Sequence, residues 1–352
     1  MSEEKKTIPK NKHHYLILGA GSIGQVIGAH LAQGGSKVTF FIKEEQRKLF
    51  ENEGIQALNW AKRENCLLQH PRIITHEDEI KEEEIFAVFC CVRSEQIPSA
   101  IPILKSFPKD WPIVCFQPGF GDLEKLAKEL EGRTLLHGHP GFFAYTEKPI
   151  TNNYIHKFNP TLLSAYPPEY SLLLKPLIQS MVEDLLRGGL PAKPSSQVAK
   201  DRYFLYAYGI CFLLGMKFHG WHVISLLRDS RLFGEIQEAA KEAVKVLQKS
   251  HQMEPPFWQK LWFKLPLGLH RLGLHFYFGA PDSYSFRMWT HHAPKIQQQT
   301  IRMANEIQTL AQKEKVAIPH FNKLVSLIDE LNRNHEKRNK KENFSVITGK
   351  TA

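Results

Sequence analysis

The sequence predicts an α/β fold in two parts, a first half built on a parallel sheet and a second half made only of helices. Three observations carry this. Short, wholly apolar runs such as Tyr15 to Leu18, Ile85 to Val92 and Pro112 to Gln117 recur in the first half, as strands buried on both faces require. Helical patterns lie between them. Beyond the Pro- and Ser-rich stretch Pro191 to Ser196, apolar residues recur only at helical spacing.

The first run passes directly into Gly19-Ala20-Gly21-Ser22-Ile23-Gly24, and a helical pattern continues from Ile23 to Gln33. A Gly-x-Gly-x-x-Gly between a strand and a helix is the fingerprint of a dinucleotide site in a Rossmann domain. Gly19 permits the tight turn, Gly21 lets backbone approach a pyrophosphate, and Gly24 lets helix pack on strand. The helix N-terminus then presents unpaired N–H groups to the phosphates. The alternative is a glycine-rich turn with only a packing role.

Lys37 to Ile42 is the second strand, and its tip is where such domains meet the adenosine ribose. An Asp or Glu there marks NAD. This chain has Lys43, followed by Arg47 and Lys48. A cation at that point pairs with a 2′-phosphate, so NADP is the expected cofactor. In the other reading Lys43 is an ordinary surface lysine and Glu44 takes the ribose.

Gln46 to Glu53 is helical, residues 54 to 74 form a short β excursion, and Glu77 to Glu84 is acidic and solvated. The strand Ile85 to Val92 ends in Val92-Arg93, and the strand Pro112 to Gln117 ends in Gln117. Ligands lie beyond the carboxyl ends of such strands, so Val92, Arg93 and Gln117 are expected to line the cofactor site. Leu123 to Leu130 reads as a crossover helix. Leu135 to Tyr145 and Thr161 to Ala165 read as antiparallel additions, and Tyr170 to Arg187 as an amphipathic helix. Pro191 to Ser196 is the expected linker. In the second half Gln197 to Phe218, Arg231 to Lys249, Pro294 to Glu314 and Phe321 to Leu331 read as helices. The expected domains are 13–192 and 193–331, flanked by a disordered N-terminus at 1–12 and a disordered basic tail at 332–352.

The net charge of +10 raises a nucleic-acid partner, but part of the excess sits in the two ends and no nucleic-acid motif accompanies it. A cleft for an anionic cofactor and an anionic substrate accounts for a basic chain as well. There is no apolar run of membrane-spanning length and no signal-peptide pattern, so the expected location is cytoplasmic. The adjacent Cys90 and Cys91 lie in an apolar run and read as buried fillers rather than a disulfide.

The order of these features resembles the ketopantoate reductase family over roughly Tyr15 to Leu331. The resemblance rests on the Gly19–Gly24 fingerprint, Lys43 after the second strand, Val92-Arg93 with Gln96, Gln117-x-Gly119-x-Gly121, Gly189-Leu190-Pro191 and Val316-Ala317-Ile318-Pro319. It implies a Rossmann domain joined to an all-helical domain, with the active site in the cleft between them. It also implies NADPH-dependent reduction of a 2-oxo acid or related carbonyl compound, a small anionic substrate. Family positions for an asparagine, a lysine, a second asparagine and a glutamate fall here on Pro118, Leu205, Gly209 and Gln299. A hydride transfer still needs a proton donor beside the carbonyl oxygen. Lys200, His139, His292 and Lys295 are the candidates for that role and for binding the carboxylate. The competing expectation is a dinucleotide-binding protein that has lost catalysis and acts as a sensor or partner-binding module. No carboxylate or cysteine stands at ligand spacing beside these histidines, so no metal is expected.

Residues 255–288 are extra relative to a compact reductase and rich in aromatics beside lysines. They suit a helical hairpin packed on the domain, a lid over a bulky substrate, a homodimer contact, or a peripheral membrane or partner contact.

Overall fold

The computed structural model describes residues 13–80, 84–117, 119–147, 150–155, 159–278 and 283–348, with side-chain surroundings up to 333. The expected disorder at 1–12 and the substitution at Pro118 lie outside the described residues. The chain divides into two compact units, 1–199 and 200–352.

Unit 1 opens with β1 (His14–Leu18), α1 (Ser22–Gln33), β2 (Lys37–Phe41) and α2 (Glu44–Glu53). Three further strands follow, β3 (Ile55–Asn59), β4 (Glu64–Leu68) and β5 (Arg72–Ile74). Then come β6 (Ala87–Cys90), α3 (Ile97–Ser106), β7 (Ile113–Cys115) and α4 (Asp122–Glu129). The unit closes with β8 (Leu135–His139), β9 (Phe142–Glu147), β10 (Ile150–Ile155), β11 (Thr161–Tyr166), α5 (Lys175–Arg187) and β12 (Ala192–Pro194).

Eight strands form one sheet in the order β12-β11-β8-β7-β6-β1-β2-β5. β5, β2, β1, β6, β7 and β8 run parallel, and β11 runs antiparallel to β8. The chain winds from β1 outward through β2 to one edge, then returns to the other side of β1 as β6, β7 and β8. The reversal beside β1 is the topological switch point, outside whose carboxyl ends ligands bind. β1, β6 and β7 are buried along their whole length, which is why each reads as an unbroken apolar run. One apolar core lies on each face of this sheet, around Ile17, Ile27 and Phe89 on one side and Leu16, Val88 and Leu104 on the other.

A second sheet, β4-β3-β10-β9, packs on α1. Its parallel β3–β10 pair joins segments almost a hundred residues apart, with Asn59 opposite Asn153. At the start of β1, the buried carboxylate of Asp184 on α5 accepts from Tyr15 Oη at 2.6 Å and from Arg187 at 2.9 Å, with His13 Nδ1 at 2.7 Å.

Three sequence expectations change here. Leu135 to Tyr145 is not one antiparallel addition: β8 extends the parallel sheet, and the break at Pro140-Gly141 sends β9 into the second sheet. Pro191 to Ser196 is not a free linker, because Ala192–Pro194 pairs with β11 as an edge strand, where proline costs no ladder bond. The boundary between units therefore falls at 199/200 rather than 192/193.

Unit 2 is all helix: α6 (Val198–Phe218, beginning just before the boundary), α7 (Val223–Arg228), α8 (Ser230–His251), α9 (Phe257–Lys264), α10 (Leu267–Phe278), α11 (Tyr284–His292), α12 (Gln297–Glu314) and α13 (Pro319–Thr348). α8 packs on α12 and α13, and its Glu242 accepts from the backbone N–H of Phe321 at 2.8 Å, capping α13. α13 continues to Thr348, so residues 332–348 are helical where the charged composition reads as a disordered tail. The charges alone oppose burial, not helix formation.

Candidate functional site

Each fingerprint glycine has a different environment. Gly19 has φ of +95°, and a Cβ there would sit 3.0 Å from Val92 Cγ1. Its N–H donates to the carbonyl of Phe41 at 3.0 Å, binding the turn to β2. A Cβ on Gly24 would overlap the carbonyl oxygen of Gly19, so α1 can approach β1 only without one. Around Gly21 a Cβ would meet nothing within 4 Å. Packing therefore explains the first and third glycines but not the second.

Gly21 is the N-cap of α1 in extended conformation, with no side chain capping the helix and no acid in its first turn. The first intrahelical bond found at this end runs from Gln25 N–H to Gly21 at 2.9 Å. The amides of Ser22, Ile23 and Gly24 precede it, and they supply the orphan donors and partial positive charge of a helix start. Ala20 is buried, and its carbonyl accepts from Gln25 Nε2 at 2.9 Å. Gln25 Oε1 in turn accepts from Thr151 on β10 at 2.7 Å. Sequence reasoning misses this brace, since nothing local marks Thr151 as a neighbour.

The sheet register aligns Leu18 with Cys90, Cys90 with Cys115 and Cys115 with His137. The residues just beyond these, Gly19, Val92, Gln117 and His139, therefore share one edge. Gln117 is buried, and its Nε2 donates to the carbonyls of Cys90 at 3.0 Å and Val92 at 2.9 Å. Among the described residues its Oε1 is buried without a hydrogen-bond partner, an acceptor available to a donor arriving at that edge. Arg93 is half exposed and its Nε lies 3.1 Å from Glu95. Burial lowers His137 to about 4, so that imidazole is neutral at physiological pH. His139, two residues on, is half-buried.

At the tip of β2, Lys43 precedes α2 with its side chain 69% exposed and its ammonium 3.8 Å from Glu45. Glu44 is already engaged: it accepts from Thr75 Oγ1 at 2.7 Å and Arg47 Nε at 3.1 Å, and these bonds hold its carboxyl below the usual range. That engagement weighs against Glu44 as the ribose ligand, although its side chain is 69% exposed, as is that of Lys43.

The other candidates lie in unit 2. Lys200 is exposed in the first turn of α6. His292 ends α11; burial, aided by the nearby charge of Lys295, lowers it to about 4. A neutral imidazole of that kind keeps only a very weakly acidic ring N–H and makes a poor general acid near pH 7. Lys295 is exposed in the 3-10 turn Ala293–Ile296 that leads into α12. On α6, Leu205 is 39% exposed and a Cβ on Gly209 would meet nothing within 4 Å, so that helix face is bare within its unit. Gln299 is half-buried in the first turn of α12. Among the described residues no three His, Cys, Asp or Glu side chains stand together as a metal site.

Residues 15–161 match the family model described as "Ketopantoate reductase PanE/ApbA". The chain is thus similar to the ketopantoate reductases over its first part. It is 29% identical over 129 residues to a 2-dehydropantoate 2-reductase of Listeria innocua, and 25% identical over 122 residues to one of Listeria monocytogenes. These matches span 37% and 35% of this chain and only 42% and 40% of the curated relatives. The likeness of fold reaches further. The crystal structure of a 2-dehydropantoate 2-reductase from Geobacter metallireducens superposes with a TM-score of 0.72 at 14% identity, over 90% of this chain and 99% of that one. A D-mandelate dehydrogenase, in a ternary structure with NADH and anilino(oxo)acetate, gives 0.70 at 18% identity over 91% and 99%. The ketopantoate reductase fold, a Rossmann-type sheet followed by helices, is thus the fold of this chain.

Proposed function

We propose that this chain is an NADPH-dependent reductase of the ketopantoate reductase type that reduces the carbonyl of a small anionic 2-oxo acid. The observation that carries the reading is Gly21, a glycine that packing does not require, at the start of an uncapped helix on the ligand edge of the sheet. The names of the relatives support reduction. The 2-oxo acid class draws support from the ketopantoate reductases and from the mandelate dehydrogenase held with an oxo acid analogue. Preference for NADPH rests on Lys43, with Glu44 tied to Arg47 and Thr75.

Gly19, Ala20, Gly21, Ser22, Ile23 and Gly24 would cradle the pyrophosphate, Lys43 the 2′-phosphate, and Val92, Arg93 and Gln117 the nicotinamide side. When bound, the reduced nicotinamide supplies a hydride. His139 stands on the same sheet edge and is our first choice to give a proton to the forming alkoxide. Lys200 and Lys295 are the choices for holding a substrate carboxylate, and His292, kept neutral by burial, is the weakest of the four. We place the enzyme in the cytoplasm.

The test is NADPH oxidation by the purified chain across a panel of 2-oxo acids that includes ketopantoate. Turnover that falls on His139→Ala and depends on a carboxylate in the substrate is the expected result. If oxidation stays at background across the panel while NADPH still raises the melting temperature, the reductase reading fails and a dinucleotide sensor takes its place.

A further inference from the structure

Helices α9 and α10 turn apolar side chains away from the core of their unit. On α9, Phe257, Trp258 and Leu261 are 70%, 75% and 47% exposed, and on α10, Leu269, Leu272 and Phe276 are 55%, 51% and 79% exposed. The spacing i, i+3, i+7 puts the latter three on one stripe of α10. His270, Leu274 and Phe278 form the opposite, buried stripe. α10 is therefore apolar on two faces and packed on one. A helix of that kind is ordinarily enclosed.

The frame beneath is firmly made, so the bare residues cannot simply fold inward. Trp262 meets the ring of His270 edge-on at 4.1 Å, and Tyr208 stacks on the same ring at 5.1 Å. Arg271 donates through Nε to the carbonyl of Leu227 at 2.8 Å, pinning α10 to the end of α7. Between residues 254 and 295 the sequence has Lys260, Lys264, Arg271, Arg287 and Lys295 against Glu254 and Asp282, and Lys260 pairs with Glu254 at 2.9 Å. Lys260 and Lys264 lie one turn apart on the exposed side of α9.

We propose that the α9–α10 face docks on an anionic lipid bilayer, with both helices lying in the interface. Charge complementarity selects the occupant: leucine and aromatic side chains enter the acyl boundary while the lysines meet anionic headgroups. Trp258 and Tyr277, the latter 44% exposed, are of the types that settle at headgroup depth. A second copy fits less well, because a symmetric pairing sets one cationic fringe against another. Spanning is excluded for these two helices, at eight and twelve residues, since a crossing needs about 20. Among the described residues no helix is long and apolar enough to cross a membrane.

The experiment is flotation of the full-length protein with vesicles of phosphatidylcholine alone and of phosphatidylcholine with phosphatidylserine. Binding enriched on the anionic vesicles and reduced by salt is expected. The double variant Trp258→Ser/Phe276→Ser should weaken it about tenfold or more, and Lys260→Glu/Lys264→Glu by a similar factor. Both variants should keep the wild-type circular dichroism and the NADPH-induced rise in melting temperature. No enrichment on anionic vesicles overturns the proposal. So does undiminished binding by the double variant, which would assign the contact to the basic C-terminal end. A third overturning result is a wild-type dimer that Trp258→Ser/Phe276→Ser converts to monomer without any vesicle binding, which would make the face a self-interface.

Discussion

Gln117 holds the carbonyl of Val92 at 2.9 Å and that of Cys90 at 3.0 Å through a single amide nitrogen. One side chain thus staples the end of β7 to the end of β6, where the chain leaves the sheet toward Arg93. Replacing it by Glu sets a carboxylate against two carbonyls and removes the donor to Val92, while Cys90 keeps the N–H of Phe116 at 3.3 Å. We expect Gln117→Glu to lower stability by about 2 kcal/mol or more, read as a lower denaturation midpoint. Gln117→Met keeps the volume without the donor and should fall between Glu and wild type.

The fingerprint glycines separate fold from function. Gly24→Ala must push α1 away from β1, because the new Cβ overlaps the Gly19 carbonyl. A loss of about 1–3 kcal/mol without nucleotide is expected. Gly21→Ala places its Cβ in open space at an ordinary backbone conformation. Its melting temperature without nucleotide should match wild type, and the rise on adding NADPH should largely vanish. An unchanged rise would mean that phosphate does not approach there.

Lys43→Asp puts a carboxylate where a 2′-phosphate is expected. NADPH affinity should fall about tenfold or more, as for loss of a charge-assisted bond, while NADH affinity holds or improves. Equal loss for both would contradict the role given to Lys43.

Acid should weaken unit 2 through His270. Its ring is fully buried, neither nitrogen has a hydrogen-bond partner among the described residues, and burial lowers it to about 4. The folded protein keeps this imidazole neutral while the unfolded chain takes up a proton below the ordinary value of about 6.5. Stability is therefore lost as pH falls from about 6.5 to about 4, and this group adds nothing further below that. His270→Phe should reduce the acid-induced drop in melting temperature. At neutral pH it should cost little, since no hydrogen bond is broken.

The buried strands of the parallel sheet and the glycine loop were legible because local composition determines them. Leu16, Ile17 and Val88 are apolar on both faces of a sheet that is covered on both sides. The helix Ile97–Ser106 was not legible, because Pro98 and Pro102 read as breakers. Pro98 in fact occupies the first turn, where no intrahelical N–H is needed. The pairing of β3 with β10 was equally hidden, since alternation reports a strand but not its partner. Of the candidate site residues, Gly19, Gly21 and Lys43 come from motif and spacing. The engagement of Glu44 by Thr75 and the brace on Ala20 depend on contacts across 31 and 126 residues.

That brace has a thermodynamic corollary. Ala20 belongs to the glycine loop, Gln25 grips it, and Thr151 grips Gln25 from a strand on the far side of α1. Any local opening that frees β10 must loosen the loop, and a ligand that binds only the closed loop must oppose that opening. If nucleotide binds at the glycine loop as proposed, it should therefore slow amide hydrogen exchange in the Phe142–Ile155 hairpin, although those amides do not belong to that loop. The second sheet then acts as a remote reporter of cofactor occupancy.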